Sequence, residues 1–339
     1  MLVQRFRLTG VLTAAAGFVL LVWVVRQVGV AQLEADFRQV GWGLAAIIAL
    51  GGARFVTRAL AWRLCLDPPH HLSIVDAFAA VICGDAIGNV TPLGPLVGEP
   101  AKAAFVRTRV PLGPAVTALA IENVFYTLSA AAMIAAGMVA LLFQFQLPPR
   151  IRDVGEAAIA GTIAVFAIAL WLLWRQPALI SRALGVAGPQ SRMHRHASRI
   201  RELEDQIYGF TARHRSALPG LLLAETGFHA LGVAEVHLTL SLLYGSPPPL
   251  LTSFILETTN RLITVVFKFV PLRLGVDEAG TALFTQVLGL GSQTGVTLAI
   301  VRKARVLFWA AAGAILLVRE GLFAPGGAAA RKIDGAADQ

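Results

Sequence analysis

Charge and cysteine are both scarce in this chain. Of its 339 residues only 14% are Asp, Glu, Lys or Arg, against roughly 25% in an ordinary soluble domain. The two cysteines, Cys65 and Cys83, form no CxxC pattern, which argues against a disulfide framework and a structural zinc site. H-E-x-x-H, G-x-S-x-G and clustered metal-binding carboxylates are also missing, so no metal ion and no cofactor are expected and an enzyme is disfavoured. Apolar residues are abundant. Hydrophobic types make up 56% of the chain, 32 residues are glycine, and the mean hydropathy is +0.68. That is too much apolar surface for a compact soluble core to hide. The net charge of +9 is unevenly spread, as in a membrane protein oriented by its basic loops, and does not suggest nucleic-acid binding.

Apolar runs of about 18 residues can cross a hydrocarbon core about 30 Å thick. Such runs occupy residues 8–25, 41–66, 112–143, 155–174, 219–243 and 295–318. The first follows Arg5 and Arg7, is longer than a usual signal sequence and lacks an A-x-A cleavage site, so it reads as a retained helix. Two further apolar stretches, 73–109 and 250–291, carry Pro and Gly near their middles. They read as broken or re-entrant helix pairs. The predicted fold is all-α: a polytopic integral membrane protein of about six transmembrane helices plus two re-entrant pairs. One membrane domain would cover 1–322, with a flexible cytoplasmic tail at 323–339. The stretch 175–215 holds eight arginines against Glu202, Glu204 and Asp205, so the loop 175–216 and both termini are expected to be cytoplasmic. Within it Met193, Ile200, Leu203, Ile207 and Phe210 recur at helical spacing. Two readings remain open: an amphipathic helix on the inner leaflet or a solvated linker.

Self-comparison adds a repeat. Pro-Leu-Gly-Pro-Leu-Val-Gly-Glu at 92–99 and Pro-Leu-Arg-Leu-Gly-Val-Asp-Glu at 271–278 align without a gap. The shared positions are Pro92, Leu93, Val97, Glu99, Ala103 and Phe105 against Pro271, Leu272, Val276, Glu278, Ala282 and Phe284. Matching Leu, Ala and Val is cheap in a membrane protein, whereas the paired Pro and Glu are not. The same offset lays the helix from Gly41 on that from Gly220 and places Glu122-Asn123 beside Arg302-Lys303. Repeat one is expected at about 41–132 and repeat two at about 220–311. By the loop charges they enter the membrane from opposite sides, as inverted-topology repeats. Interrupted segments at matching places of such halves point to a transporter's midplane site.

These same blocks, together with Arg305 on the helix that follows the second one, resemble the lysylphosphatidylglycerol synthase transmembrane-region family, also called flippase-like domain proteins. The resemblance spans roughly residues 8–320. It implies a membrane-embedded helical module with re-entrant elements, associated with moving lipids between leaflets; hopanoid-locus proteins form one branch of it. Three departures are visible. The residues after Val318 carry no catalytic domain of the kind that charges a lipid with an amino acid, so aminoacyl transfer is not expected. Glu122-Asn123 stands where the family has an acidic-Arg pair, and the first Pro-Gly block is poorer in glycine.

Ionisable residues inside a membrane cost about 2.5–3.5 kcal/mol each on insertion scales and need a reason to be there. Arg54 and Arg58 share a face roughly 20 Å down their helix from Gly41. Glu257, Arg261, Thr264 and Lys268 form one helical stripe, with Glu257 and Arg261 at i,i+4. Arg302, Lys303 and Arg305 interrupt the last span. Ion pairs that fix helix packing compete with a ligand site for each residue. The surplus of cations over Glu99, Glu122, Glu257 and Glu278 favours an anionic ligand, most simply a lipid phosphate. The substrate-binding set is therefore Arg54, Arg58, Glu99, Glu122, Arg261, Lys268, Glu278, Arg302 and Arg305. Glu99 and Glu278 are expected in the first turns of their half-helices, where the free N–H groups favour a carboxylate, and each is expected to pair with an arginine across the cavity. Glu225 and His229 read as a helix-end pair at the cytoplasmic interface, with a proton-carrying role as the alternative. His70-His71 reads as interfacial.

The function read from the sequence is translocation of an anionic phospholipid- or polyprenyl-type lipid between leaflets of a bacterial inner membrane. The alternatives are a membrane-embedded enzyme acting on a lipid phosphate and a scaffold of a lipid-biosynthesis complex. The partners are the bilayer and the lipid, not nucleic acid, and a homodimer is left open.

Overall fold

The computed structural model describes residues 26, 30–91, 94–175 and 205–319. The expected span 8–25, Pro92, most of the basic stretch 175–216 and the tail 323–339 lie outside the described residues. Among the described residues the regular structure is helical throughout: α1 (Val30–Val40), α2 (Gly43–Leu64), α3 (Ile74–Val90), α4 (Gly94–Phe105), α5 (Leu112–Gln144), α6 (Pro149–Arg175), α7 (Asp205–Arg213) and α8 (Leu218–Tyr244), then α9 (Leu250–Val266), a 3-10 turn (Pro271–Arg273), α10 (Val276–Val287) and α11 (Ser292–Arg319). Local signals set several ends. Ser73 caps α3 by accepting the Asp76 N–H at 3.0 Å, Pro111 and Pro249 precede α5 and α9, and α8 stops at Gly245 in a left-handed conformation.

Among the described residues two helices, α2 and α5, are long and apolar enough to cross a membrane. The α7–α8 pair, bent by 105°, makes a third if it counts as one span. The bend settles what the described part of the basic loop does. Phe210 on α7 is buried among Trp62, Leu66 and Leu221 and meets Phe125 edge-on at 6.1 Å. The apolar face of α7 is thus docked on protein, which neither sequence reading anticipated.

Both stretches expected to break do so. Residues 73–109 form α3 and α4, folded back on each other as a hairpin. The backbones touch: a Cβ on Gly94 would lie 2.2 Å from the Gly88 carbonyl oxygen, and one on Gly98 2.7 Å from that of Gly84. Only glycine permits this approach. Residues 250–291 form α9 and α10, with Gly280 against Ile263 and Pro271 opening the turn between them. That turn holds Leu272 and Arg273 at φ +50° and +47°, a region unfavourable for residues with a Cβ.

Shifted by the repeat offset, α2, α3, α4 and α5 fall in order on α8, α9, α10 and α11. Packing follows the same exchange. α3 packs on α11 while α9 packs on α5, and α2 packs on α11 while α8 packs on α5. The mates α2 and α8 pack on each other and run antiparallel, with Gly43 against Leu242 at one end and Gly220 against Leu64 at the other. Apolar clusters occupy both ends of the bundle. One contains Trp62, Leu119 and Leu221; the other contains Met138, Leu240 and Leu298. Between them α2, α5 and α8 carry a charged layer.

Overpacking of a tight contact costs roughly 1–3 kcal/mol. Gly94→Ala should therefore lower stability by about that amount, read as a reduced Tm of the detergent-purified protein. Gly161→Ala, on α6 with nothing within 4 Å, should be neutral or stabilising by about 0.5–1 kcal/mol.

Candidate functional site

The charged layer is built from largely buried side chains, so each needs a partner. Glu257 on α9 serves three arginines. Arg261 Nη2 donates to its Oε1 at 2.8 Å, Arg54 Nη2 lies 3.6 Å from the same oxygen, and Arg302 Nη2 donates to Oε2 at 3.5 Å. Glu235 on α8 serves two: Arg305 Nε donates to Oε1 at 2.8 Å and Arg54 Nη1 to Oε2 at 3.1 Å. Four guanidinium groups from α2, α9 and α11 thus share two carboxylates. Arg58 Nη1 sits 2.8 Å from Glu122 Oε1, a charge contact without hydrogen-bond alignment. Aromatic faces complete the arrangement. Phe228 lies 4.6 Å from the Arg54 guanidinium carbon and 4.8 Å from that of Arg261, and Tyr126 lies 4.1 Å from that of Arg58.

One side of this layer opens into a cavity of about 300 Å³, walled by α2, both helical hairpins, α5, α8 and α11. Seven cationic side chains line it: Arg54, Arg58, Lys102, Arg261, Lys268, Arg273 and Arg305. Asp85 and Glu99 are the two carboxylates in the lining, and Asn89, Asn123 and Asn260 add amides. Lys268 is exposed. The cavity suits an anion of phosphate type, which guanidinium forks bind bidentately.

Six of the nine sequence-selected residues, Arg54, Arg58, Glu99, Arg261, Lys268 and Arg305, come together at this cavity. The other three stand behind its walls. Glu122 lies beneath Arg58 and Arg302 behind Glu257. Glu278, fully buried, receives a hydrogen bond from Lys303 Nζ at 2.6 Å. The two repeated glutamates therefore differ. Glu99 is held by Lys102, three residues on, at 2.6 Å, so neither glutamate pairs with an arginine across the cavity. Glu278 does sit in the first turn of α10, whereas Glu99 is past the first turn of α4. Glu225 and His229 are also not a helix-end pair: both are buried, with Ser129 Oγ 3.1 Å from Glu225 Oε2 and 3.1 Å from His229 Nε2.

Sequence reasoning missed Glu235, Lys102, Asp85 and Arg273. The sequence carried no signal for Glu235: its partner is set by the antiparallel register of α2 and α8, which brings the middle of α8 to Arg54. Among the described residues no three His, Cys, Asp or Glu side chains are grouped so as to hold a metal ion.

Compared with known protein families, residues 8–313 match the model described as the lysylphosphatidylglycerol synthase TM region. No curated protein and no solved structure matches the chain. With its long apolar helices, the family match makes this a multi-pass membrane protein.

Breaking a buried ion pair from one side costs about 3–5 kcal/mol, because the abandoned charge stays buried. Glu257→Gln removes the carboxylate that Arg261 and Arg302 depend on and that Arg54 shares, and should destabilise by about 3 kcal/mol or more in chemical denaturation. Glu99→Gln leaves a single buried cation, Lys102, without its partner beside a one-quarter-exposed side chain, and should destabilise by less than Glu257→Gln.

Proposed function

This chain belongs to the lysylphosphatidylglycerol synthase TM region family, and from that premise and the buried charge layer we propose that it is a lipid translocase. It moves a lipid with an anionic phosphate head group, of phospholipid or polyprenyl type, between the leaflets of a bacterial inner membrane, and it is not an enzyme. The observation that carries this reading is the charge imbalance at the cavity wall. Four arginines share Glu235 and Glu257, so the layer carries about two uncompensated positive charges, and three of those arginines line the cavity. A phosphate supplies the missing charge.

The packing supports an inverted repeat. Exchange-symmetric contacts imply a pseudo-two-fold axis, and antiparallel mates α2 and α8 require that axis to run across the helices. If α2 spans the bilayer, the axis lies in the membrane plane and the halves are inverted. The α3–α4 and α9–α10 hairpins then enter from opposite sides as re-entrant pairs and meet at the cavity, as in transporters with broken helices. By the positive-inside rule, the basic residues of the sequence favour a cytoplasmic position for both termini. Among the described residues that line the cavity there is no serine, cysteine or histidine, so the lipid-phosphate enzyme gains no support.

Reconstitution tests this. Liposomes carrying the protein should exchange fluorescent phosphatidylglycerol between leaflets faster than empty liposomes. Lys268→Ala removes an exposed cation from the cavity lining; it should leave Tm unchanged and slow exchange a few-fold, in line with about 0.5–1 kcal/mol for a solvated charge contact. Arg261→Gln should slow it at least tenfold. Wild-type liposomes that exchange no faster than empty ones would overturn the translocase.

A further inference from the structure

Glu122 is a buried carboxylate that the head-group site does not use. It is 1% exposed, and neither of its oxygens accepts a hydrogen bond. Its near contact is the Arg58 guanidinium, 2.8 Å away and misaligned for hydrogen bonding. Arg58 in turn faces the other way as well: it lines the cavity and lies over the Tyr126 ring. One guanidinium therefore stands between an orphaned carboxylate and the space where an anion binds.

We propose that Glu122 is a proton-coupling site, occupied by a proton when an anionic head group engages Arg58. The inference rests on the translocase reading, since it needs an anion in the cavity. The physical chain is short. An arriving phosphate offers Arg58 aligned acceptor oxygens that Glu122 does not, so the guanidinium turns toward it. Glu122 then loses its nearest counter-ion in apolar surroundings. An uncompensated buried carboxylate is far costlier than a neutral carboxylic acid. A proton from water closes the balance: the carboxylate becomes a carboxylic acid, and no other bond forms or breaks. The anion and the proton enter together, so the charge gained by the site is smaller than the charge of the head group.

The groups facing Glu122 from each neighbouring element fit this. α2 contributes Arg58, with Cys65 at its end, and α4 contributes Lys102 and Glu99, which hold each other at 2.6 Å. α8 contributes Glu225, which shares Ser129 with His229. On α5 itself Tyr126 lies beyond Arg58, its hydroxyl accepting from Arg261 Nη1 of α9 at 3.3 Å. Among the described residues Arg58 and Lys102 are the cations that act most strongly on Glu122, and Lys102 is engaged by Glu99. Once Arg58 turns away, protonation is the remaining way to neutralise Glu122. By reciprocity a ligand that promotes proton uptake binds more tightly as pH falls.

Titration calorimetry of the full-length protein in nanodiscs tests this, with soluble dihexanoyl phosphatidylglycerol as the probe. Measured in buffers of different ionisation enthalpy, binding should take up between half and one proton per lipid near neutral pH, and affinity should fall several-fold between pH 6 and pH 8. Glu122→Gln mimics the protonated acid: proton uptake should vanish, and binding at pH 8 should tighten to the wild-type value at pH 6. Binding by the wild-type protein without proton uptake, or uptake that survives in Glu122→Gln, overturns the coupling and leaves the translocase standing. Absence of wild-type binding at every pH overturns both. If Glu122→Gln fails to fold, the wild-type proton count and pH dependence decide alone.

Discussion

Burying an arginine in a membrane protein is tolerable only when a carboxylate or a ligand meets it, and this constraint organises the whole bundle. Glu257 and Glu235 receive Arg54, Arg261, Arg302 and Arg305 from three different helices. Each guanidinium has to arrive from its own direction, so the positions of α2, α8, α9 and α11 are fixed relative to one another by charge before any apolar packing is counted. The two apolar clusters then seal the layer at both ends. Such a layer is expensive to desolvate and weak evidence for stability in itself. Its value lies in what it leaves exposed: the cation-rich face of the cavity.

Small residues make room for these charges. A Cβ on Gly51 would meet the Arg305 side chain at 2.6 Å, and one on Gly232 would meet the Glu257 carboxylate at 2.4 Å. The glycines of α2 and α8 thus do two things. They allow the close helix approach that membrane bundles favour, and they vacate the volume into which a charged side chain from a third helix reaches. Glycine richness and buried charge, separate compositional facts in the sequence, are one packing solution.

Much of the fold was legible because prolines and stray charges are conspicuous in apolar runs. The breaks near Pro92 and Pro271 and the cations of α2, α9 and α11 stood out for that reason. Glu235 did not, because a carboxylate in a long apolar helix, here one of two with Glu225, gives no hint of the partner it meets on another helix. The misreading of Glu278 has a different cause. Glu99 and Glu278 occupy equivalent positions, but their partners do not: Lys102 corresponds to Thr281, and Lys303 corresponds to Val124. Repeat alignment predicts where a backbone goes, whereas pairing depends on residues that the two halves do not share. The face on which α7 docks was hidden for a similar reason, since periodicity marks an apolar stripe without saying whether lipid or protein covers it.

That divergence between the halves bears on how the molecule can move. Arg54 and Arg58 on α2 correspond to Val233 and His237 on α8, which line an apolar groove instead of a charged cavity. Charge is therefore concentrated on one side of a nearly symmetric scaffold. The carboxylates that hold Arg54, Glu235 and Glu257, both come from the second half. Sliding one half against the other would strip Arg54 of both at once, at a cost of about 3–5 kcal/mol for a stranded buried charge. On the translocase proposal, an anion in the cavity would offset that penalty by standing in for the carboxylates. The ion pairs would then hold the two halves together while the site is empty.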